Sequence, residues 1–213
     1  MTARDEILAR IRAANGRSGR NGAGLTTEYA AIPRDYLRAH HEAASTDVVA
    51  LFAERAADYR AVVERVPSEA DLPAAIARAM APAPSVLVPA EVPAQWLSGL
   101  GEVARDDPPR SPHELDRAGG VLTGCAVAVA ETGTVVLDHG PGQGRRALTL
   151  VPDFHLVVVR ADQVAADLPD ALARLDPSRP VTLISGPSAT SDIELIRVEG
   201  VHGPRRLHIL IAG

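Results

Sequence analysis

The sequence has very little cysteine and no lysine. Its 213 residues include a single cysteine, Cys125, and all 22 basic residues are arginine. One thiol cannot form an internal disulfide, and it cannot bind an iron–sulfur cluster by itself, because the irons are held by several cysteine ligands. Without lysine, the chain also lacks the Schiff-base nucleophile and the phosphate-loop lysine. Any anionic ligand must therefore be bound by guanidinium or backbone N–H groups.

The chain also lacks a strong net charge and a long apolar run. Its formal net charge of -5 is mild and argues against a nucleic-acid partner, which would require a clustered basic face. The longest apolar runs, such as Leu156–Val159 and Leu207–Ala212, have the length of strands and are too short to span a membrane. Residues 1–12 mix charged and apolar residues at helical spacing, unlike a signal peptide. We therefore expect a cytoplasmic protein with no membrane span and no nucleic-acid partner.

The N-terminal residues differ in pattern from the rest of the chain. Thr2–Ala14 has helical periodicity, with Thr2 placed to cap the helix. Gly16–Gly24 is rich in Gly, Arg, Ser and Asn and has no apolar period, which is typical of a flexible linker. We therefore divide the chain into an N-terminal helical arm with its linker (residues 1–24) and a larger domain (residues 25–213).

In the larger domain, strands alternate with helices, which predicts an α/β fold with a mostly parallel sheet and helices on both faces. Cys125–Ala130 and Thr134–Leu137 are β-rich runs flanking a glycine-containing turn, so they predict a β-hairpin insertion that makes the sheet mixed. Further strands are predicted at Phe154–Arg160 and Leu207–Ile211, with a helix over Ala161–Leu175. A short helix is also predicted to start at Ser111, where a cap residue is followed by Pro112 and Glu114.

The hairpin tip is the first candidate site. Glu131 is flanked there by Thr132, Gly133 and Thr134, and we predict that these three residues contact a ligand. Glu131 can serve as a general base or nucleophile if burial raises its pKa. The alternative is a solvated turn in which Gly133 supplies a positive φ angle.

The second candidate site follows a predicted buried strand, Val181–Ile184. Ligands of open α/β sheets bind beyond the carboxyl ends of the strands, where hydroxyl and free N–H groups can form an anion cradle without lysine. The predicted ligand-binding residues in this segment are Ser185, Gly186, Ser188, Thr190, Ser191 and Asp192. The alternative is a capped turn with Ser191 or Asp192 as the N-cap. The segment lacks the second glycine of a nucleophile elbow.

Two glycine-containing loops supply the remaining candidates. His202, between glycines, is a candidate general base, and its neighbours Gly203 and Arg205 are predicted to bind the ligand. The alternative is that His202 is a polar surface residue. The glycine-rich loop Gly140–Arg146 ends in Arg145 and Arg146 and is a candidate anion clamp, with Arg145 predicted to bind the ligand. The alternative is that this loop is a mobile lid.

We predict neither a metal nor a cofactor for this chain. Asp153, His155 and His202 are the only grouping that suggests metal ligands, and their spacing does not resemble a zinc signature. A histidine that opens a strand, as His155 does, is more often a core or edge residue.

Four segments, in this order and spacing, resemble the LUD (lactate-utilisation) domain, and the N-terminal helix resembles the protein C branch of that family. The segments are Ala130–Leu137, Leu150–Val159, Ile184–Glu194 and Gly200–Arg205. The resemblance implies a fold similar to the sugar-isomerase and CoA-transferase group. It also implies an accessory role beside iron–sulfur partner proteins that oxidise L-lactate to pyruvate. By analogy with related CoA-transferase folds, it suggests Glu131 as a nucleophile.

The residues themselves leave other functions open. The chain is alternatively a free-standing enzyme, with Glu131 as base or nucleophile, or a metabolite-binding domain for an anionic small molecule. Whether the chain is itself catalytic is not decided by its sequence.

Overall fold

The computed structural model describes residues 2–14, 29–34, 47–190, 198–200 and 202–213. It divides the chain into two units, residues 1–37 and 38–213. In the first unit, the predicted helix is present as α1 (Ala3–Ala14). Thr2 caps it, because its Oγ1 accepts from the Asp5 backbone N–H at 3.3 Å while the Asp5 carboxylate accepts from the Thr2 N–H at 2.9 Å. The predicted linker lies outside the described residues, so the boundary at residue 24 stays a prediction.

The second unit contains helices, short 3₁₀ turns and strands in alternation. Its helices are α2 (Val48–Asp58), α3 (Leu72–Met80), α4 (Pro112–Asp116) and α5 (Leu168–Ala173), and its 3₁₀ turns cover Glu69–Asp71, Ala94–Leu97, Arg146–Thr149 and Ala161–Gln163. Its strands are β1 (Val62–Val66), β2 (Val86–Val88), β3 (Val103–Arg105), β4 (Gly120–Thr123), β5 (Val127–Val129), β6 (Thr134–Leu137), β7 (Phe154–Arg160), β8 (Val164–Ala165), β9 (Thr182–Ile184), β10 (Ala189–Thr190), β11 (Val198–Glu199) and β12 (Arg206–Ala212).

The strands form two main sheets. Six of them pair in the order β1-β12-β7-β4-β2-β3, and every pairing is parallel. The second sheet has the order β8-β5-β6-β9 and contains the hairpin β5–β6, while β10 and β11 form a short antiparallel pair. The predicted α/β class with a mostly parallel sheet is therefore confirmed. The prediction that the hairpin makes this sheet mixed is wrong, because β5 and β6 pair with β8 and β9 in the second sheet.

Apolar cores cover both faces of the six-stranded sheet. One face, which we call the helix-covered face, presents Leu122, Leu156, Val158 and Leu210 to α3 and to the buried Trp96. The other, the sheet-covered face, presents Val157, Val159, Ile209 and Ile211 to α2 and to the strands of the hairpin. Because side chains alternate along a strand, His155 lies on the same face as Val157 and Val159. Helices thus pack on both faces of the sheet, as predicted.

The helix α4 begins with the capping residues that the sequence predicts. Ser111 Oγ accepts from the Glu114 N–H at 3.4 Å, and the Glu114 carboxylate accepts from the Ser111 N–H at 2.8 Å. This reciprocal capping box satisfies two N–H groups that the first turn leaves without partners, and Pro112 fits there because it has no N–H to satisfy.

The prediction of one helix over Ala161–Leu175 is wrong. Val164 and Ala165 instead form β8, which pairs in parallel with β5, and the chain begins a new helix at Leu168 after the N-cap Asp167. Pro169 suits the first turn of this new helix but would interrupt a longer one. Pairing with a strand distant in sequence has overridden the local helical pattern.

Candidate anion-binding site

A cavity of about 230 Å³ lies between the two main sheets. It is lined by Arg146, Thr149, Leu150, His155, residues 182–189, residues 202–204 and Leu207. His155 and Leu207 are the second residues of β7 and β12, so the cavity lies at the amino ends of the parallel strands. Ser185 does follow the carboxyl end of β9, as expected, but β9 belongs to the second sheet. The carboxyl-end rule therefore does not describe where this cavity is.

His155 is the most buried polar group of the cavity. His155 is only 1% exposed, and its ring Nε2 lies 2.7 Å from Oγ1 of the fully buried Thr123. Burial lowers the pKa of His155 to about 4, so the imidazole is neutral at physiological pH. A neutral ring has one donor and one acceptor nitrogen. Because Nε2 is engaged by Thr123, Nδ1 is the nitrogen left for another partner.

Two neighbouring arginines are used differently. Arg145 donates from Nε to the Asp106 carboxylate at 2.6 Å and from Nη2 at 3.0 Å. Although burial acts in the opposite direction, the hydrogen bonds from Arg145 and from the Arg110 N–H lower the pKa of Asp106. Arg146 donates to the hydroxyl of Thr182 at 2.8 Å and makes no ion pair within the described residues. Arg146 is therefore the arginine of the cavity wall whose guanidinium is available to bind an anion.

Two loops form the opposite wall of the cavity and are joined to each other. The Ser188 N–H donates to the Pro204 carbonyl at 2.8 Å, and Ser188 Oγ accepts from the His202 N–H at 3.0 Å. Gly186 has φ +82°, and a Cβ there would lie 2.4 Å from the Tyr59 carbonyl oxygen, so this turn requires glycine. The predicted residues Ser185, Gly186, Ser188, His202 and Gly203 are thereby brought together on one cavity.

A chain of hydroxyl groups connects the cavity to the hairpin tip. Ser185 Oγ lies 2.7 Å from Thr134 Oγ1, which lies 2.7 Å from Thr132 Oγ1. Gly133 has φ +59°, and a Cβ there would lie 2.4 Å from the Ala56 backbone nitrogen. The tip therefore packs closely against α2.

Glu131 is not among the residues that line the cavity. It is half-buried at the hairpin tip, and its N–H donates to the Ala166 carbonyl at 3.0 Å. Its predicted role as base or nucleophile stays a prediction.

The other predicted residues lie outside this cavity. Arg205 donates to the Asp153 carboxylate at 2.6 Å, and this hydrogen bond lowers the pKa of Asp153. Arg205 lines a neighbouring cleft that also includes His202, Gly203 and Arg146. The backbone of Thr190 is in β10, whereas Ser191 and Asp192 lie outside the described residues.

Sequence reasoning missed three polar residues of the lining, Thr149, Thr182 and His155. Of the two arginines in the predicted anion clamp, Arg146 lines the cavity and Arg145 does not. The sequence predicts that His155 is a core or edge residue, and it is buried in β7. A single polar residue in an apolar strand carries no signal that it also faces a cavity. Among the residues that the structure describes, no three His, Cys, Asp or Glu side chains are grouped to hold a metal ion.

The chain was compared with known proteins. The model of the LUD domain matches residues 111–212. Lactate utilization protein C of Deinococcus radiodurans is 53% identical over 171 residues, which cover 78% of this chain and 80% of that protein. The chain belongs to the lactate utilization protein C family. The resemblance inferred from the four sequence segments is thus confirmed.

Other members of the lactate utilization protein C family and one solved structure agree with this. Lactate utilization protein C of Bacillus pumilus is 37% identical over 92 residues, covering 39% of this chain and 38% of that one. The crystal structure of a DUF162 family protein from Deinococcus radiodurans is similar, with a TM-score of 0.67 and 46% identity over 78% of this chain and 97% of that chain. Within the described residues, no helix combines the length and the hydropathy needed to cross a membrane.

Proposed function

We propose that this chain is an accessory component of lactate utilisation that binds a small anion and acts in the cytoplasm with iron–sulfur partner proteins to oxidise L-lactate to pyruvate. The observation that carries the proposal is the 53% identity, over most of both chains, to a protein named for lactate utilisation. The cavity supports the binding role, because Arg146 is free of carboxylate partners among the described residues and the hydroxyl-bearing residues Thr149, Thr182, Ser185 and Ser188 line the same cavity.

The single cysteine supports the role of partners. Cys125 is buried, and burial raises the pKa of its thiol to about 12, so it stays protonated and is a poor metal ligand. This supports the proposal that partner chains hold the clusters that accept electrons from lactate.

A free-standing enzyme is the second candidate function. The observation that favours it is the chain of hydroxyl groups from Ser185 through Thr134 to Thr132, which connects the cavity to the turn carrying Glu131. In this case Glu131 or His202 acts as the base, and the substrate is again an anionic small molecule.

Growth of a deletion strain on L-lactate as sole carbon source tests the proposal. We expect the deletion to stop growth on lactate but not on glucose, and the wild-type gene to restore it. Arg146→Gln should fail to restore growth, whereas Arg117→Gln, which changes an exposed arginine at the end of α4, should restore it. Normal growth of the deletion strain on lactate, with no second copy of the gene present, would refute the lactate role.

The same strains separate the two candidate functions. Under the accessory role, Glu131→Gln restores growth, and a tag on this chain recovers iron–sulfur proteins from a native extract. Failure of Glu131→Gln to restore growth, with a normally folded variant protein, would favour the enzyme.

A further inference from the structure

Two groups of the cavity offer hydrogen bonds of different kinds to a ligand. The guanidinium of Arg146 has five N–H donors, and the one hydrogen bond that it forms within the described residues goes to the neutral hydroxyl of Thr182. This leaves donors and a full positive charge for a carboxylate. His155 contributes no charge, because its ring is neutral when buried.

The partner of His155 allows the ring to adopt either tautomer. A threonine hydroxyl both donates and accepts, so the Thr123–His155 hydrogen bond of 2.7 Å can run in either direction. When Nε2–H donates to Thr123, Nδ1 is an acceptor and suits the O–H of an alcohol. When the Thr123 O–H donates to Nε2, Nδ1 carries the proton and suits a carbonyl oxygen.

The charge of the cavity restricts the ligand further, and its volume of about 230 Å³ has room for a small acid. Arg146 is the one arginine in this lining, and the residues around the cavity include no lysine, so a single negative charge is matched by one guanidinium.

We propose that the cavity binds a monocarboxylate carrying a hydroxyl or oxo group on the carbon next to the carboxylate. Arg146 binds the carboxylate, His155 binds the neighbouring oxygen, and the reversible Thr123–His155 hydrogen bond lets one site accept both the 2-hydroxy acid and the 2-oxo acid. The inference rests on the proposed function, since lactate and pyruvate are such a pair, and it names the ligand class and the residues that select it.

Binding to the purified full-length chain tests the ligand class. The probes are L-lactate, pyruvate, propionate, which lacks the neighbouring oxygen, and inorganic phosphate. We expect lactate and pyruvate to bind with similar affinity, and propionate about tenfold more weakly because one hydrogen bond is missing. Equal binding of propionate, stronger binding of phosphate, or no binding of lactate and pyruvate would overturn the proposal.

Substitutions test the binding roles of Arg146 and His155 separately. Arg146→Gln should weaken the binding of both acids by about tenfold or more, because it removes the charge-assisted hydrogen bonds, whereas the control Arg117→Gln should leave the binding of both acids unchanged.

Thr123→Val tests the role of His155, because it removes the acceptor that the Nε2–H group needs. A buried N–H without a partner is costly, so the ring should then keep its proton on Nδ1. Lactate binding should fall about tenfold while pyruvate binding is retained. An equal loss of binding for both acids would contradict the role of the reversible Thr123–His155 hydrogen bond.

The wild-type chain gives a readout that does not depend on the folding of any variant. In ¹⁵N spectra of the 7 histidines, assigned for His155 with His155→Gln, lactate should shift the ring to the Nε2–H tautomer and pyruvate to the Nδ1–H tautomer. An unchanged tautomer with both ligands bound would overturn the assignment of His155. If the deletion strain requires the gene for growth on lactate but neither acid binds to the protein, the proposed function stands and this inference fails. If both acids bind but the deletion strain grows normally on lactate, this inference stands and the proposed function fails.

Discussion

The two faces of the six-stranded sheet are covered by different structures and contain different residues. On the helix-covered face, the buried side chains Leu122, Leu156, Val158 and Leu210 pack against α3. On the sheet-covered face, Val157 and Ile209 share the interface with the buried polar residues His155 and Thr123. The second sheet therefore covers both an apolar core and a polar cavity.

A buried polar pair stabilises a core less than apolar side chains of the same volume would, because its groups must be desolvated. The core of the helix-covered face is apolar, although one polar pair borders it: His208 Nε2 on β12 lies 4.0 Å from the Glu64 carboxylate on β1. We interpret the difference as a division of roles within one sheet: one face holds the fold together, and the amino end of the other holds a ligand. Three predictions test this division.

The largest effect is expected on the helix-covered face. Leu156 is fully buried there, so Leu156→Ala should lower the free energy of unfolding by about 3 kcal/mol through lost apolar contact and the cavity left behind. Urea unfolding measures this loss, with Leu172→Ala as the control. Because Leu172 is 50% exposed, its substitution should lower the free energy of unfolding far less. Ligand binding by the folded fraction of Leu156→Ala should be unchanged; a selective loss of lactate binding would break the division between the faces.

A similar effect, dependent on pH, is expected on the sheet-covered face. Burial lowers the pKa of His155 from 6.5 to about 4. Between these values the unfolded chain binds a proton that the folded chain does not. The free energy of unfolding should therefore fall as the pH is lowered from about 6.5 to about 4, by up to about 3 kcal/mol.

His155→Gln should remove this part of the pH dependence, as measured by urea unfolding at several pH values. Burial also lowers the pKa of His208, which contributes to the wild-type slope in the same direction and stays in the variant. Asp106 and Asp153, whose pKa values are lowered, lose their contribution only at lower pH. Equal slopes for the wild type and His155→Gln between pH 4 and 6.5 would show that His155 is not buried as a neutral group.

The smallest effect separates Arg145 from Arg146. Arg145→Gln leaves the Asp106 carboxylate, whose side chain is 4% exposed, without its cationic partner, and should cost about 2 kcal/mol of stability. Arg146→Gln breaks one hydrogen bond at an exposed arginine and should change stability by about 0.5 kcal/mol or less. Thermal unfolding of the two variants measures the difference. A larger loss for Arg146→Gln would mean that this arginine supports the fold and is not kept for a ligand.

The architecture could be predicted from the sequence where the signal is local. The capping box at Ser111 and the strand Phe154–Arg160 have the bounds that their patterns indicate. The helix expected after that strand was wrong because Val164 and Ala165 pair with β5, and no local pattern records a partner more than thirty residues away. Likewise, the spacing of Arg145 and Arg146 cannot show which guanidinium meets Asp106.

By itself, the sequence determined the α/β class, the single cysteine and the family. These depend on composition, periodicity and short motifs, which are properties of neighbouring residues. Only the tertiary structure decided that His155 faces a cavity and that Glu131 lies outside its lining. Alternation along β7 shows that His155 shares a face with Val157, but not what covers that face. The second sheet covers it, and this sheet is assembled from strands that lie far apart in the chain.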